Sequence, residues 1–190
     1  MSTQILDCTL RDGGYINDWR FGKKTIVSIL EKLEKANIDI IECGFLTRMV
    51  KDEACSLFND IAQIEEVLPR QERTAMYVAM IAIGEKELHP SELAPFDGKS
   101  LEGIRLTFHK GEIDQAIEWA RIIQEKGYKV FMQPVGTGFY TDMELLRLVE
   151  KMNQLQPYAF YIVDTLGSMY RNEVSHRFYL IDENMRPEIH

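Results

Sequence analysis

The residues best suited to chemistry lie near the amino terminus, in the run Thr9-Leu10-Arg11-Asp12-Gly13-Gly14 that follows an apolar segment. Arg11 carries a fixed cation with a planar fork of donors. Asp12 offers hard carboxylate oxygens of the kind that Mg²⁺ or Mn²⁺ prefers. The two glycines permit positive φ angles and the close approach of a ligand. The run therefore predicts a binding site for an anion or a divalent ion at the end of a first strand.

Polar side chains also follow four later apolar segments. In parallel α/β folds, ligands sit at the carboxyl ends of the strands. Each polar group taken singly fits a loop start or a helix cap equally well. Their recurrence at five strand ends nevertheless predicts one shared site. The later groups are Glu42-Cys43-Gly44, then Arg105, Thr107 and His109, then Gln133 with Gly136-Thr137-Gly138, and finally Asp164-Thr165-Leu166-Gly167.

The segments that must position these groups alternate between strand-like and helix-like patterns. Apolar runs predict strands, and apolar residues spaced three and four apart predict helices between them. The predicted strands cover residues 5–10, 38–45, 75–83, 103–108, 128–134 and 159–163. Helical periodicity covers residues 26–33, 57–68, 113–120, 145–152 and 174–181, whereas prolines make residues 85–100 irregular.

Alternating strands and helices imply a parallel sheet with helices packed outside it. The strands begin about 30 residues apart, which matches one unit of an eightfold α/β barrel. At this spacing the chain holds about six such units. The pattern alone fits either a complete open-sheet α/β protein or part of a barrel.

The composition is that of a soluble globular chain, with 45% hydrophobic and 27% charged residues. No apolar run approaches the roughly 20 residues that a membrane helix needs, and the start Met-Ser-Thr-Gln lacks the pattern of a signal peptide. A net charge of −8 disfavours nucleic acid or a membrane as the main partner. The odd set Cys8, Cys43 and Cys55 has no CxxC spacing, which predicts free thiols in the cytoplasm.

Residues 6–13, Leu-Asp-Cys-Thr-Leu-Arg-Asp-Gly, are similar to the D-x-T-L-R-D-G signature of metal-dependent lyase and aldolase TIM barrels. Residues 40–45 and 163–167 resemble the second and sixth strands of that family, which includes acyl-CoA lyases and isopropylmalate and homocitrate synthases. The chain most resembles the 4-hydroxy-2-oxovalerate aldolase type. The resemblance implies a partial (β/α)₈ TIM barrel of about six βα units, with residues 1–190 forming a single domain.

The resemblance also implies roles for individual side chains. Asp12 would bind a divalent metal, Mn²⁺ or Mg²⁺, and Arg11 would stabilise the enolate that forms when a carbon–carbon bond breaks. Glu42 would help to hold that arginine. The side chains expected near the substrate, a small 2-oxo acid, are Thr9, Glu42, Asp164 and Thr165.

This chain departs from the family pattern in two ways. Where the aldolases have a histidine as candidate base, two residues after the glycine of R-D-G, this chain has Tyr15. The base is then Tyr15, which we take as a candidate catalytic group, or a water, or a group outside the 190 residues. The family's H-x-H pair of metal ligands is missing from the 190 residues. We therefore expect this chain to bind metal weakly and to be inactive alone. Since six strands leave two sheet edges open, we also expect a homo-oligomer, or an edge that the carboxy-terminal tail covers.

The resemblance implies an aldol or retro-aldol carbon–carbon lyase that acts on a 2-oxo acid through a pyruvate-type enolate. A metal ion would act as Lewis acid, an arginine would stabilise the developing charge, and a base would take the hydroxyl proton. Two alternatives stay open. One is a Claisen-type acyltransferase or acyl-CoA lyase on the same barrel, and the other is a non-catalytic binding module derived from a barrel.

Overall fold

The computed structural model describes residues 3–49, 52–85 and 88–190, whose strands form one parallel sheet. The strands are β1 (Leu6–Asp7), β2 (Ile40–Leu46), β3 (Leu57–Phe58), β4 (Met76–Ala82), β5 (Gly103–Phe108), β6 (Lys129–Pro134) and β7 (Ala159–Phe160). The helices are α1 (Thr9–Asp12), α2 (Lys23–Lys35), α3 (Ile61–Glu65), α4 (Ile113–Glu125), α5 (Asp142–Leu155) and α6 (Arg171–Asp182).

Six strands lie side by side in the order β1, β2, β4, β5, β6, β7, and the short β3 pairs with β2. Every pairing between them is parallel. The four long strands, β2, β4, β5 and β6, are almost entirely buried, as expected for a sheet covered on both faces. The sheet curls into part of a barrel with helices around it, so the prediction of a partial (β/α)₈ barrel is confirmed.

Successive residues of each strand face opposite sides of the sheet. On β5, Ile104 and Leu106 belong to the large outer core under the helices. The intervening residues, Arg105 and Thr107, face the inside of the curled sheet, where Thr107 lies beside Gln133 of β6 in register. The strands therefore direct polar side chains inward toward their carboxyl ends.

The first strand is shorter than the predicted residues 5–10, because only Leu6–Asp7 pair with β2. The Asp7 carboxylate accepts hydrogen bonds from the backbone N–H of Thr9 at 3.0 Å and from its hydroxyl at 2.9 Å. The helical turn α1 follows, and the Asp12 N–H donates to the Cys8 carbonyl at 2.8 Å. Arg11 and Asp12 thus lie on a helical turn rather than on the strand end that was predicted.

The prediction of a helix over residues 57–68 was wrong in its extent, since Leu57–Phe58 forms β3 and α3 is only Ile61–Glu65. Asp60 starts α3, because its carboxylate accepts the Gln63 N–H at 2.8 Å. Gly44 of β2 has a φ of 142°, and a Cβ there would lie 2.0 Å from the carbonyl oxygen of Ser56. Glycine at this position therefore allows the chain before β3 to approach β2 closely.

The sixth predicted strand, residues 159–163, is likewise shorter, with only Ala159–Phe160 paired in β7. The other helix predictions are confirmed by α2, α4, α5 and α6. Residues 85–100 are irregular as predicted, with one 3₁₀ turn at Pro90–Glu92; residues 86 and 87 lie outside the described ranges. The three cysteines are free thiols. Within the described ranges, no helix is both long enough and apolar enough to span a membrane.

Candidate active site

A cavity of about 570 Å³ opens at the carboxyl ends of the strands. Its walls come from α1 and the turn after it, from the ends of β4, β5 and β6, and from the segment that follows β7. Parallel α/β folds hold their ligands at this end. The polar side chains that line the cavity are Arg11, Asp12, Tyr15, Glu85, Thr107, His109, Gln133, Asp164 and Thr165.

Arg11 is held by a buried carboxylate. Its Nε–H donates to Glu42 Oε2 at 2.9 Å and its Nη1–H to Asp12 Oδ1 at 2.9 Å. The remaining nitrogen, Nη2, has no hydrogen-bond partner among the described residues. Burial disfavours the Arg11 cation, but the Glu42 carboxylate outweighs burial and raises the pKa of Arg11. Arg11 is therefore a fixed cation in the cavity wall with one nitrogen left for a ligand.

Glu42 is fully buried and binds a second arginine as well. Arg105 Nη1–H donates to Glu42 Oε1 at 2.6 Å, and Arg105 is only 3% exposed. The Nε–H of Arg105 is buried and has no hydrogen-bond partner in the described part of the chain, and its guanidinium lies 5.1 Å from the centre of the Tyr161 ring. In this cluster the buried carboxylate of Glu42 bridges two guanidiniums, and the exposed carboxylate of Asp12 pairs with Arg11, so the charges of the four side chains balance. Glu42 is the only carboxylate of the four that is buried with the guanidiniums, so it holds both of them in place.

Asp164 and Thr165, which were expected near the substrate, both line the cavity, and each also forms hydrogen bonds that hold its own loop. The Asp164 carboxylate accepts the backbone N–H of Ser168 at 3.0 Å and that of Met169 at 2.9 Å. The Thr165 hydroxyl accepts the Gly136 N–H at 2.9 Å. These bonds fix the two side chains at the rim of the cavity.

Two residues that were predicted to contact the substrate, Thr9 and Glu42, do not line the cavity. Thr9 bonds to Asp7 and is not among the lining residues of the cavity. Glu42 lies beneath the cavity wall, with both oxygens engaged by arginines. Glu42 is thus placed to orient Arg11, the role that the family resemblance implies, and substrate contacts by Thr9 and Glu42 stay predictions.

Tyr15 stands in the wall of the cavity and is 65% exposed. Its ring packs edge-on against Trp19, with ring centres 4.8 Å apart. Partial burial raises the pKa of Tyr15, although Arg11 nearby lowers it in part. The phenol therefore carries its proton at neutral pH and is a hydrogen-bond donor in the resting site.

The described residues do not form a metal site on their own. No group of three His, Cys, Asp or Glu side chains in residues 3–49, 52–85 and 88–190 could hold an ion. Asp12 is a single carboxylate whose side chain is 64% exposed and paired with Arg11. An ion bound at Asp12 would need further ligands from elsewhere, so we assign no reaction step to a metal.

Sequence analysis gave no role to Glu85 or Trp19, and it grouped Arg105 with the polar residues of its strand without predicting a partner for it. A signal existed for Arg105, because a charge inside the apolar run of β5 must find a buried partner. Trp19 gave no such signal, since its place against Tyr15 depends on an unusual backbone turn at Asp18 and Trp19.

The fold and the cavity define a partial α/β barrel with a cavity at the carboxyl ends of its strands. Solved structures with this fold include the N-terminal domain of an aldolase candidate from Bacteroides vulgatus, with a TM-score of 0.75, 21% identity, and coverage of 98% of this chain and 62% of that one. The carboxyl transferase domain of Rhizobium etli pyruvate carboxylase, solved with pyruvate, has a TM-score of 0.67 at 12% identity, covering 96% of this chain and 34% of that one.

In sequence, the chain is 24% identical to a 4-hydroxy-2-oxovalerate aldolase from Geobacillus genomosp. 3 over 178 residues. The alignment covers 92% of this chain and 52% of the aldolase, so the chain spans about half the length of this relative. No family model matches the chain. The chain is therefore a distant relative of an aldolase and shares the fold of an aldolase-type barrel.

Proposed function

We propose that this chain provides the enolate-binding part of an aldol-type carbon–carbon lyase that acts on a 4-hydroxy-2-oxo acid. The observation that carries the proposal is Arg11, which Glu42 holds at 2.9 Å in a cavity at the carboxyl ends of the strands. The distant sequence likeness to a 4-hydroxy-2-oxovalerate aldolase supports the same reaction class. A fixed cation in a cavity is the group that an enolate-forming reaction requires.

In the cleavage direction, the C4 hydroxyl of the substrate loses its proton and the bond between C3 and C4 breaks. The electron pair of that bond moves toward the C2 oxygen, which gives an aldehyde and an enolate that takes up a proton at C3. Negative charge grows at the C2 oxygen, where the guanidinium of Arg11 stabilises it. A preorganised donor at such an oxygen contributes about 3 kcal/mol, a rate factor of about 10² to 10³.

Tyr15 acts in this proposal at the C4 oxygen. Because its raised pKa keeps the phenol protonated, Tyr15 donates a hydrogen bond to that oxygen, and in the reverse addition it gives its proton to the new alkoxide. Cleavage then requires the phenolate or a water to accept the C4 proton. The resemblance also implies Mn²⁺ or Mg²⁺, yet Asp12 alone does not hold such an ion, so we expect the isolated chain to bind the 2-oxo acid without turning it over.

Oxalate tests the proposal, because this planar dianion resembles the enolate of pyruvate and cannot react. Calorimetry with EDTA present should show oxalate binding to the chain. Arg11→Lys should weaken binding tenfold or more, because lysine lacks the planar fork. Arg48→Lys is the matched control, since Arg48 pairs with Glu92 outside this cavity. Equal weakening in both variants, or no binding to the unchanged chain, would overturn the proposal.

A further inference from the structure

A second cavity, of about 560 Å³, adjoins the first one. The two cavities share Tyr15, Ala82 and Glu85 in their walls. The rest of the second wall is mainly apolar, and we call this space the aromatic cavity. Its large apolar side chains are Trp19, Phe45, Met49 and Leu57. Its volume lies in the range of ordinary ligand pockets.

The wall formed by Trp19 is held by the backbone around it. Asp18 and Trp19 are consecutive non-glycine residues in the left-handed region, with φ of 54° and 58°, a conformation that persists only where the surroundings impose it. The indole Nε1–H donates to the Arg11 carbonyl at 2.7 Å, and the Trp19 N–H donates to the Gly14 carbonyl at 2.9 Å. A Cβ on Gly14 would lie 2.0 Å from the indole ring, so glycine is required there.

The aromatic rings of this cavity leave apolar surface open. Trp19 packs edge-on against both Tyr15, at 4.8 Å between ring centres, and Phe45, at 5.8 Å. Tyr15 is nevertheless 65% exposed, and Met49 at the mouth is 43% exposed. Apolar surface that is clustered and concave, rather than scattered, marks a binding site. A flat apolar group would cover it.

The charged side chains of the two cavities determine which end of a ligand that spans both would lie in which cavity. Among the described residues, no Lys, Arg or His lines the aromatic cavity, and its two charged side chains, Asp18 and Glu85, are acidic. The first cavity is also lined by the carboxylates Asp12, Glu85 and Asp164, but Arg11 gives it a guanidinium that the described lining of the aromatic cavity lacks. A carboxylate is therefore favoured at Arg11 over any position in the aromatic cavity. A ligand that spans both cavities places its anionic end at Arg11 and its uncharged end at Trp19.

We infer that the aromatic cavity binds the substituent on C4 of the substrate, and that this substituent is aromatic or comparably large and apolar. The substrate class is then a 4-hydroxy-2-oxo acid that releases an aromatic or bulky aldehyde. The assignment to C4 rests on the proposed function, whereas binding of an aromatic group at Trp19 does not.

The chain has two tryptophans, so Trp119→Phe leaves Trp19 as the only indole N–H signal in an NMR spectrum. This variant is titrated with 4-fluorobenzyl alcohol, which is aromatic and uncharged, and with ethanol. The indole signal of Trp19 should shift saturably with the aromatic alcohol, at least tenfold more tightly than with ethanol. An unmoved signal, or equal affinity for both alcohols, would overturn the inference.

Two methionines provide a matched pair of variants in the same background. Met49→Asp places a charge at the mouth of the aromatic cavity and should weaken binding of 4-fluorobenzyl alcohol fivefold or more. Met143→Asp changes an exposed methionine on α5, outside both cavities, and should leave binding unchanged. Equal effects of the two variants would contradict the inference.

A parallel titration with oxalate separates the two claims. If the aromatic alcohol binds and oxalate does not, the proposed function fails and the assignment to C4 fails with it, while the aromatic site stands. If oxalate binds at Arg11 and the alcohol does not shift Trp19, the inference fails and the proposed function stands.

Discussion

Glu42 holds both arginines of the site, Arg11 and Arg105, although it does not itself line the cavity. It is fully buried, and its two oxygens bind Arg11 and Arg105 at 2.9 and 2.6 Å. The desolvation of three charged groups is offset only while all three are present. Loss of the carboxylate would leave two cations without their common anion.

We predict that Glu42→Gln lowers the free energy of unfolding by about 3 to 5 kcal/mol, because it removes the anion from a buried charge cluster. Urea denaturation measures the change. Glu92→Gln is the control, since Glu92 pairs with Arg48 at the surface and its loss should alter stability little. A Glu42 variant as stable as the Glu92 variant would show that the cluster is not held by Glu42.

Tyr15 should titrate above the ordinary tyrosine pKa of 10.0, because partial burial disfavours its phenolate more than Arg11 favours it. NMR of ring-labelled tyrosine, with Tyr15→Phe for assignment, measures the pKa. Titration at or below 10.0 would mean that Arg11 dominates and that Tyr15 is a better base than its burial suggests.

At the scale of residues, sequence analysis identified the side chains that line the cavity better than the buried side chains that hold them in place. Arg11, Asp12, Asp164 and Thr165 could be singled out because they follow predicted strands. Arg105 was named as a polar residue of the predicted strand 103–108, but its pairing with Glu42 spans 63 positions of sequence and depends on the curl of the sheet. Such long-range pairings are set by tertiary packing, which periodicity does not record.

Helix α5 begins with a capping box that also binds a lysine. The Thr141 hydroxyl accepts the Glu144 N–H at 3.4 Å, and the Glu144 carboxylate accepts the Thr141 N–H at 2.9 Å. Glu144 also pairs with Lys110. The hydrogen bond from Lys110, together with those from Thr141, lowers the pKa of Glu144 to about 2.

A carboxyl group whose pKa is lower in the folded state stabilises the fold above its unfolded pKa, and this stabilisation is lost as pH falls through the folded value. For Glu144 the window runs from the ordinary value of 4.5 down to about 2. We predict that Glu144→Gln makes stability less dependent on pH in this window. Urea denaturation at several pH values checks it, and an unchanged slope would contradict the prediction.

At the scale of elements, the long strands and helices followed from periodicity, whereas the short elements did not. Residues 57–68 carry helical spacing, yet Leu57–Phe58 pairs with β2 because Gly44 lets the chain approach. The strand predicted at residues 5–10 stops at Asp7, whose side chain competes for the backbone of Thr9. Local side-chain hydrogen bonds and the close approach of the chain at Gly44, rather than secondary-structure propensity, set the boundaries of these short elements.

Among the described residues, the sheet ends at β1 and the short β3 on one side and at β7 on the other. The carboxy-terminal residue covers part of β7, since the His190 N–H donates to the Tyr158 carbonyl at 3.0 Å and the Phe160 N–H to the His190 carbonyl at 2.9 Å. Beside β1, Ile5 is 59% exposed. An apolar residue at a strand edge favours pairing with another chain.

We therefore predict that the chain forms a homo-oligomer through the β1 edge. Light scattering should give a mass above the 22.1 kDa of one chain. Ile5→Lys should shift the mass toward the monomer, because an edge lysine opposes strand pairing. A monomeric unchanged chain, or an oligomer insensitive to this substitution, would contradict the prediction.

The central claim for the molecule is that Arg11, held by Glu42, binds the oxygen atoms of a 2-oxo acid at the carboxyl ends of the strands. A crystal structure of the chain with oxalate tests it most directly. The expected result is an oxalate oxygen within hydrogen-bond distance of Arg11 Nη2, with the contact between Arg11 and Glu42 retained. Oxalate bound without contact to Arg11 would contradict the claim.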